Sequence, residues 1–149
     1  MSFYFNRTAD GSAPVTRYMD VDQVTIVAGD LLMIDTSGYV SNTLTSAYTS
    51  NLAGVAEAGV TGSSVTAGTT KIPVQINRSA IYLADTVAAA TQTEVGTNVT
   101  CSGSPMRNIT ESTAKDAGLG IVRIIKLMDA VNTAKAVEVM LNFDSAVEL

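Results

Sequence analysis

The chain has no histidine and a single cysteine, Cys101. That pair of facts removes the usual general base, the Ser–His and Cys–His nucleophilic pairs, and the commonest metal ligand. Tetrahedral zinc, which draws its ligands mainly from Cys and His, has no donor set. Asp20 and Asp22 lie two apart in a segment with no helical period, so both carboxylates share one face and suit a hard cation. No further oxygen donors follow at calcium-loop spacing, and a solvated turn accounts for the pair. Gly118-Leu119-Gly120 starts like a dinucleotide fingerprint, but it precedes a strand pattern where the fingerprint opens a helix, so a tight turn is expected. The methionines fall at scattered strand and turn positions, as filler does. Arg7, Arg17, Arg78, Arg107 and Arg123 are candidates for contacts with a partner's carboxylates. No catalytic, cofactor-binding or metal residue is predicted, no cofactor is implied, and the chain is read as a non-enzyme.

The elements that would position these residues are strands, and they repeat. Gly29-Asp30-Leu31-Leu32-Met33-Ile34 is echoed by Gly96-Thr97-Asn98-Val99-Thr100-Cys101. Gly54-Val55-Ala56-Glu57-Ala58 is echoed by Gly120-Ile121-Val122-Arg123-Ile124, and Lys71–Asn77 by Ala136–Asn142. A unit of this length cannot bury its apolar face alone, whereas two copies packed together can. The match places Cys101 at the core position held by Ile34 in the first copy, as a small buried hydrophobe. Asp35-Thr36-Ser37-Gly38 supplies a hairpin turn, with Gly38 free to take positive φ. Pro73 cannot donate to a ladder, which predicts an edge strand or a bulge. Asp85–Ala90 has the makings of one helical turn with Asp85 as N-cap, and Glu111–Ala117 of a short helix. Short strands with turn chemistry between them predict an all-β fold, a compact β-barrel of two pseudo-repeated units, about 24–77 and 92–143, with at most short helices.

At 149 residues this is one domain, able to bury roughly 70% of its unfolded surface. Charged residues make up only 15%, against roughly 25% in an ordinary soluble domain. Ser, Thr, Ala, Val and Gly take their place, a palette suited to packing against other copies. The net charge of −5 and scattered bases argue against direct contact with nucleic acid. No apolar stretch is long enough to span a membrane as a helix. Met1–Arg7 lacks the basic start and apolar core of a secretory signal, so a cytoplasmic site of synthesis is expected. Residues 1–22 stand apart from the barrel at 23–149: they hold Phe3, Tyr4, Phe5 and Tyr18, interrupted by Asp10-Gly11-Ser12-Ala13-Pro14. An extended N-terminal arm of this kind either folds back on its own barrel or reaches a neighbour. Phe3, Tyr4, Phe5, Arg7, Arg17 and Tyr18 are the predicted partner-binding residues, because aromatics bury large areas at low entropic cost.

The series Val27-Ala28-Gly29-Asp30-Leu31-Leu32-Met33-Ile34-Asp35-Thr36-Ser37-Gly38-Tyr39-Val40, then Leu52-Ala53-Gly54-Val55-Ala56, then Ile72-Pro73-Val74, resembles the capsid decoration, or cement, proteins of tailed bacteriophages. The resemblance covers about residues 24–143. The second copy departs from it, with Gly96-Thr97 in place of Gly-Asp and no proline in its last strand. The resemblance implies a virion protein that binds the outer surface of an assembled head and stabilises the shell. It further implies a homotrimer on the capsid, with the major capsid protein as partner. Deletion of residues 2–18 is then expected to spare the barrel and abolish shell binding. The alternatives are another phage component (a tail-tube, baseplate or fibre β domain) and a surface binding module.

Overall fold

A computed structural model describes residues 3–43, 52–102, 108–110, 121–128 and 134–141. The described residues form β1 (Tyr4–Thr8), β2 (Thr16–Asp20), β3 (Leu31–Ile34), β4 (Val40–Ser41), β5 (Leu52–Ala56) and β6 (Lys71–Gln75). They continue with β7 (Ala80–Ala90), β8 (Asn98–Ser102), β9 (Asn108–Thr110), β10 (Val122–Leu127) and β11 (Ala134–Leu141). The helical content among them is two single 3-10 turns, Gly62–Ser64 and Gln92–Glu94. The chain is all-β, compact and barrel-like.

One sheet runs β2-β6-β5-β3-β4 and the other β1-β7-β11-β10-β8-β9. Each rolls up until its last strand reaches back to the other side of the sheet through a parallel contact. In the first sheet Val21, just past β2, bridges Val40 of β4. In the second, β7 pairs in parallel with β9 through Asp85–Asn108 and Thr86–Ile109.

The duplication is therefore wider than three matched strands. β2, β3, β4, β5 and β6 correspond in order to β7, β8, β9, β10 and β11, and β1 is an addition. Registers agree as well. Ile34 faces Val40 and Cys101 faces Ile109. Arg17 faces Val74 and Tyr82 faces Val139. Leu32 faces Gly54, whereas Val99 faces Val122. Pairing thus matches Gly54 with Val122, two residues beyond the Gly120 that sequence likeness suggests. A shift of two keeps every side chain on its own face, which is why the pattern survives it.

Two apolar clusters fill the body. The smaller lies inside the first rolled sheet and includes Val21, Leu32, Val40, Ala53, Ile72 and Val74. The larger fills the second sheet, with Tyr82, Val99, Cys101, Ile124 and Val139, and extends to Leu31, Met33, Leu52 and Val55. β3 sends alternate residues to opposite clusters, and β5 sends Leu52 and Val55 to the larger and Ala53 and Ala56 to the smaller, its phase slipping at the register shift beside Gly54, so these two strands are the wall between the halves. All five residues of β5 are buried for that reason. Gly54 is required there. Its φ is +152°, and a Cβ would overlap the Gln75 carbonyl oxygen and press on Val74 Cγ1 at 3.0 Å.

Two local expectations need correction. Asp85–Ala90 is not a helical turn but the second half of β7, with β-branched Thr86 and Val87 in a strand held by β11 and β9. Nor is the Pro73 strand at an edge, since β6 lies between β2 and β5. The Glu57 N–H donates to the Pro73 carbonyl at 3.0 Å, one residue past the end of β5. The return bond that proline cannot make falls where the ladder has already ended. The hairpin turn is as expected: Asp35 Oδ1 accepts from the Ser37 and Tyr39 N–H groups at 2.8 and 2.9 Å, and Gly38 has φ +84°. The helix expected over 111–117, the Gly118–Gly120 turn, Met106 and Arg107 lie outside the described residues.

Candidate interaction face of the N-terminal strands

Residues 3–20 are extended, but they are woven into the body. β1 pairs antiparallel with β7, Tyr4 facing Leu83 and Phe5 facing Tyr82, with a register shift between Phe5 and Arg7. β2 pairs antiparallel with β6 from Thr16–Gln75 to Asp20–Lys71 without a shift. Deleting residues 2–18 would remove one strand and most of another. The deletion expected to spare the barrel therefore attacks the fold itself.

The six predicted partner-binding residues separate by role. Phe3 is 2% exposed and belongs to the larger core cluster, its N–H donating to the Gly29 carbonyl at 2.9 Å. Arg7 is committed internally: Nη1 and Nη2 donate to Glu138 Oε1 and Oε2 at 2.6 and 3.0 Å, and Asn6 Nδ2 reaches Oε1 at 2.9 Å. This bidentate clasp reaches from β1 across β7 to β11. The guanidinium bond lowers the Glu138 pKa from its ordinary value against the opposing effect of burial, and raises that of Arg7. Phe3 and Arg7 hold the face in place; they do not form it.

Tyr4, Phe5 and Tyr18 are exposed, at 54%, 41% and 67%. Phe5 meets Tyr82 edge-on, with ring centroids 6.3 Å apart at 74°. Arg17 is exposed and makes no ion pair among the described residues. Beside β1 lies a groove of about 310 Å³, lined by Tyr4, Phe5, Pro14, Val55, Glu57 and Gln75 among others. The Thr16 hydroxyl, at the start of β2, donates to Glu57 Oε1 at 2.7 Å. The loop between β1 and β2 is pinned as well. Asp10 Oδ1 accepts from the Ser12 N–H at 3.0 Å and the Ser79 hydroxyl at 2.9 Å, and its pKa falls to about 2, chiefly through the bonds with Ser12.

The other groups with chemical potential have structural employment. Asp20 pairs with Lys71 at 3.1 Å, and Asp22 accepts from the Gln23 N–H at 2.7 Å. Asp30, fully buried, accepts from the Val27 N–H at 3.0 Å and from Asn42 Nδ2 at 2.8 Å, which ties the strand entry to the end of β4. No sequence signal short of the pairing itself pointed to that bond. Arg123 Nε donates to the Gly96 carbonyl at 3.1 Å. Cys101 is buried, and burial pushes its thiol pKa up. Among the described residues no group of three or more Cys, Asp or Glu converges, and no helix is long and apolar enough to cross a membrane.

Comparison of the chain with protein-family models, curated proteins and solved structures finds no match.

Proposed function

We propose that this chain is a structural protein that binds the outer surface of an assembled tailed-bacteriophage head and strengthens the shell, as a homotrimer that contacts the major capsid protein. The observation that carries the reading is a pair of exposed aromatics, Tyr4 and Phe5, on a strand clamped to a rigid body by Phe3 and by the Arg7–Glu138 clasp. Anchors held this way lose little conformational freedom on docking, which is where interface energy is most often lost. The resemblance of residues 27–40, 52–56 and 72–74 to decoration proteins supplies the identity of the surface. Three copies on one lattice would gain from effective concentration, so each single contact can be modest.

The test is co-sedimentation of the purified protein with expanded phage heads stripped of decoration protein. Wild type is expected to saturate the heads. Tyr4→Ala, which removes an exposed ring without touching the core, is expected to weaken binding about tenfold or more, as loss of an aromatic anchor does. Failure of wild type to bind any stripped head, or equal binding by the variant, would overturn the reading.

A further inference from the structure

The ladder of β5, β6 and β2 carries three polar side chains on one face. Val55 faces Gln75, and Gln75 in turn faces Thr16. Cross-strand partners share a face, and Glu57 stands two residues beyond Val55, so it joins them. The bond from the Thr16 hydroxyl to Glu57 Oε1 fits that placement. Val55, Glu57 and Gln75 line the groove of about 310 Å³ together with Tyr4, Phe5 and Pro14.

Two of the polar groups in this groove have unused bonding capacity. Gln75 is only 4% exposed, yet its carboxamide makes no hydrogen bond among the described residues. Buried side-chain amides are nearly always bonded, and this one offers two donors and an acceptor. Glu57 spends Oε1 on Thr16, and among the described residues its Oε2 has no bond and its charge no ion pair. A carboxylate, a carboxamide in need of a partner and two exposed rings therefore meet in one space. Its volume is at the small end for ligand sites, enough for one side chain.

We propose that this groove receives an arginine side chain from a partner protein. A guanidinium is planar and always charged, presents five N–H donors and stacks on aromatic faces. In the groove it donates to Glu57 and to the Gln75 oxygen, while the rings of Tyr4 and Phe5 pack against its plane. An anionic occupant is repelled by Glu57, and a wholly apolar one leaves Gln75 buried without a partner. Lysine matches less well, because its compact ammonium is more strongly hydrated and cannot stack. The net charge of −5 favours the approach of a basic surface. The inference rests on the reading of this face as an interface and names the residue type a partner must offer. It does not require the partner to be a shell.

The experiment is a titration of the isotope-labelled full-length protein with acetyl-arginine amide, followed by nuclear magnetic resonance at low and high salt. Acetyl-lysine amide, acetyl-leucine amide and acetyl-citrulline amide, which keeps the shape of arginine without its charge, are the comparison probes. Arginine is expected to shift the Gln75 side-chain amide and the Tyr4 and Phe5 signals saturably, and less strongly as salt rises. Lysine and leucine are expected to bind severalfold more weakly. Citrulline and Glu57→Gln are each expected to weaken binding about tenfold, and the two together little more than either, since both remove one ion pair. Gln75→Leu, checked for folding by circular dichroism, is expected to weaken arginine about tenfold. Absence of a saturable arginine shift would overturn the proposal. So would equal binding of citrulline or leucine, or losses from citrulline and Glu57→Gln that simply add. Arginine binding by a protein that ignores stripped heads would keep the groove and remove the shell reading, and head binding without arginine binding would do the reverse.

Discussion

Gly54→Ala is the substitution that most directly probes the wall between the two halves. The new methyl group would overlap the backbone oxygen of Gln75, and neither strand can yield because β5 is buried on both faces. The φ of +152° is itself disfavoured for alanine. Backbone strain of that kind costs about 1–3 kcal/mol, and overpacking a closed core costs about 1–3 kcal/mol more. The sum is about 4 kcal/mol, which for a chain of this size lowers Tm by about 8–16 °C. The control is Gly38→Ala, where φ is +84° but nothing lies within 4 Å of the added carbon. Only the left-handed backbone is penalised there, at about 1–2 kcal/mol. Thermal unfolding of the two variants beside wild type separates close approach from backbone strain. If Gly54→Ala melts no lower than Gly38→Ala, β5 is not wedged against β6 as described, and the common wall fails with it.

Three further outcomes are expected. Glu138 and Asp10 both have folded-state pKa values below their ordinary 4.5 and 3.8, so each adds stability that is complete above those values and is lost as pH falls through the lower folded ones. In urea titrations Glu138→Gln should therefore be less stable than wild type at neutral pH and should lose less on acidification below about 4.5; parallel pH profiles would refute the clasp. The buried Tyr82 hydroxyl has no hydrogen-bond partner among the described residues, and burial followed by the Glu57 charge raises its pKa. Tyr82→Phe should leave stability unchanged or raise it by about 1 kcal/mol, and a loss of that size would reveal a partner. Cys101 should resist thiol reagents in the native protein and react only on unfolding, because burial disfavours its thiolate; rapid native labelling would contradict its place opposite Ile109.

Why three repeated strands were legible and two were not follows from where each strand lies. β3, β5 and β6 share their neighbours and faces with β8, β10 and β11, so the same pressures kept their patterns alike. β2 and β7 hold equivalent places under different conditions. Thr16-Arg17-Tyr18-Met19-Asp20 corresponds to Ile81-Tyr82-Leu83-Ala84-Asp85, and only the final aspartate coincides. β7 is covered by β1 and is largely buried, while β2 is exposed up to Tyr18. A covered edge selects apolar residues and an open edge does not, so sequence likeness vanished where pairing persisted. The Asp85–Ala90 misreading has the same root, since small residues in a strand held from both sides carry little β signal of their own. Phe3 and Arg7 read from the sequence as partner-binding residues, yet both are engaged inside the fold. Their partners, the larger core and Glu138, lie more than a hundred residues away in part, and no local pattern encodes that.

The same comparison bears on how a duplicated fold acquires direction. Two equivalent halves packed on a common wall would expose two equivalent edges, and a chain with two open edges pairs without limit. Here β1 closes one of them in cis, with a core phenylalanine and a bidentate ion pair to hold it. Among the described residues β2 keeps a regular, unpaired outer edge, and the exposed aromatics Tyr4, Phe5 and Tyr18 lie on the strand that does the closing and on β2. One capped edge and one open edge give the body a polarity that neither half has alone.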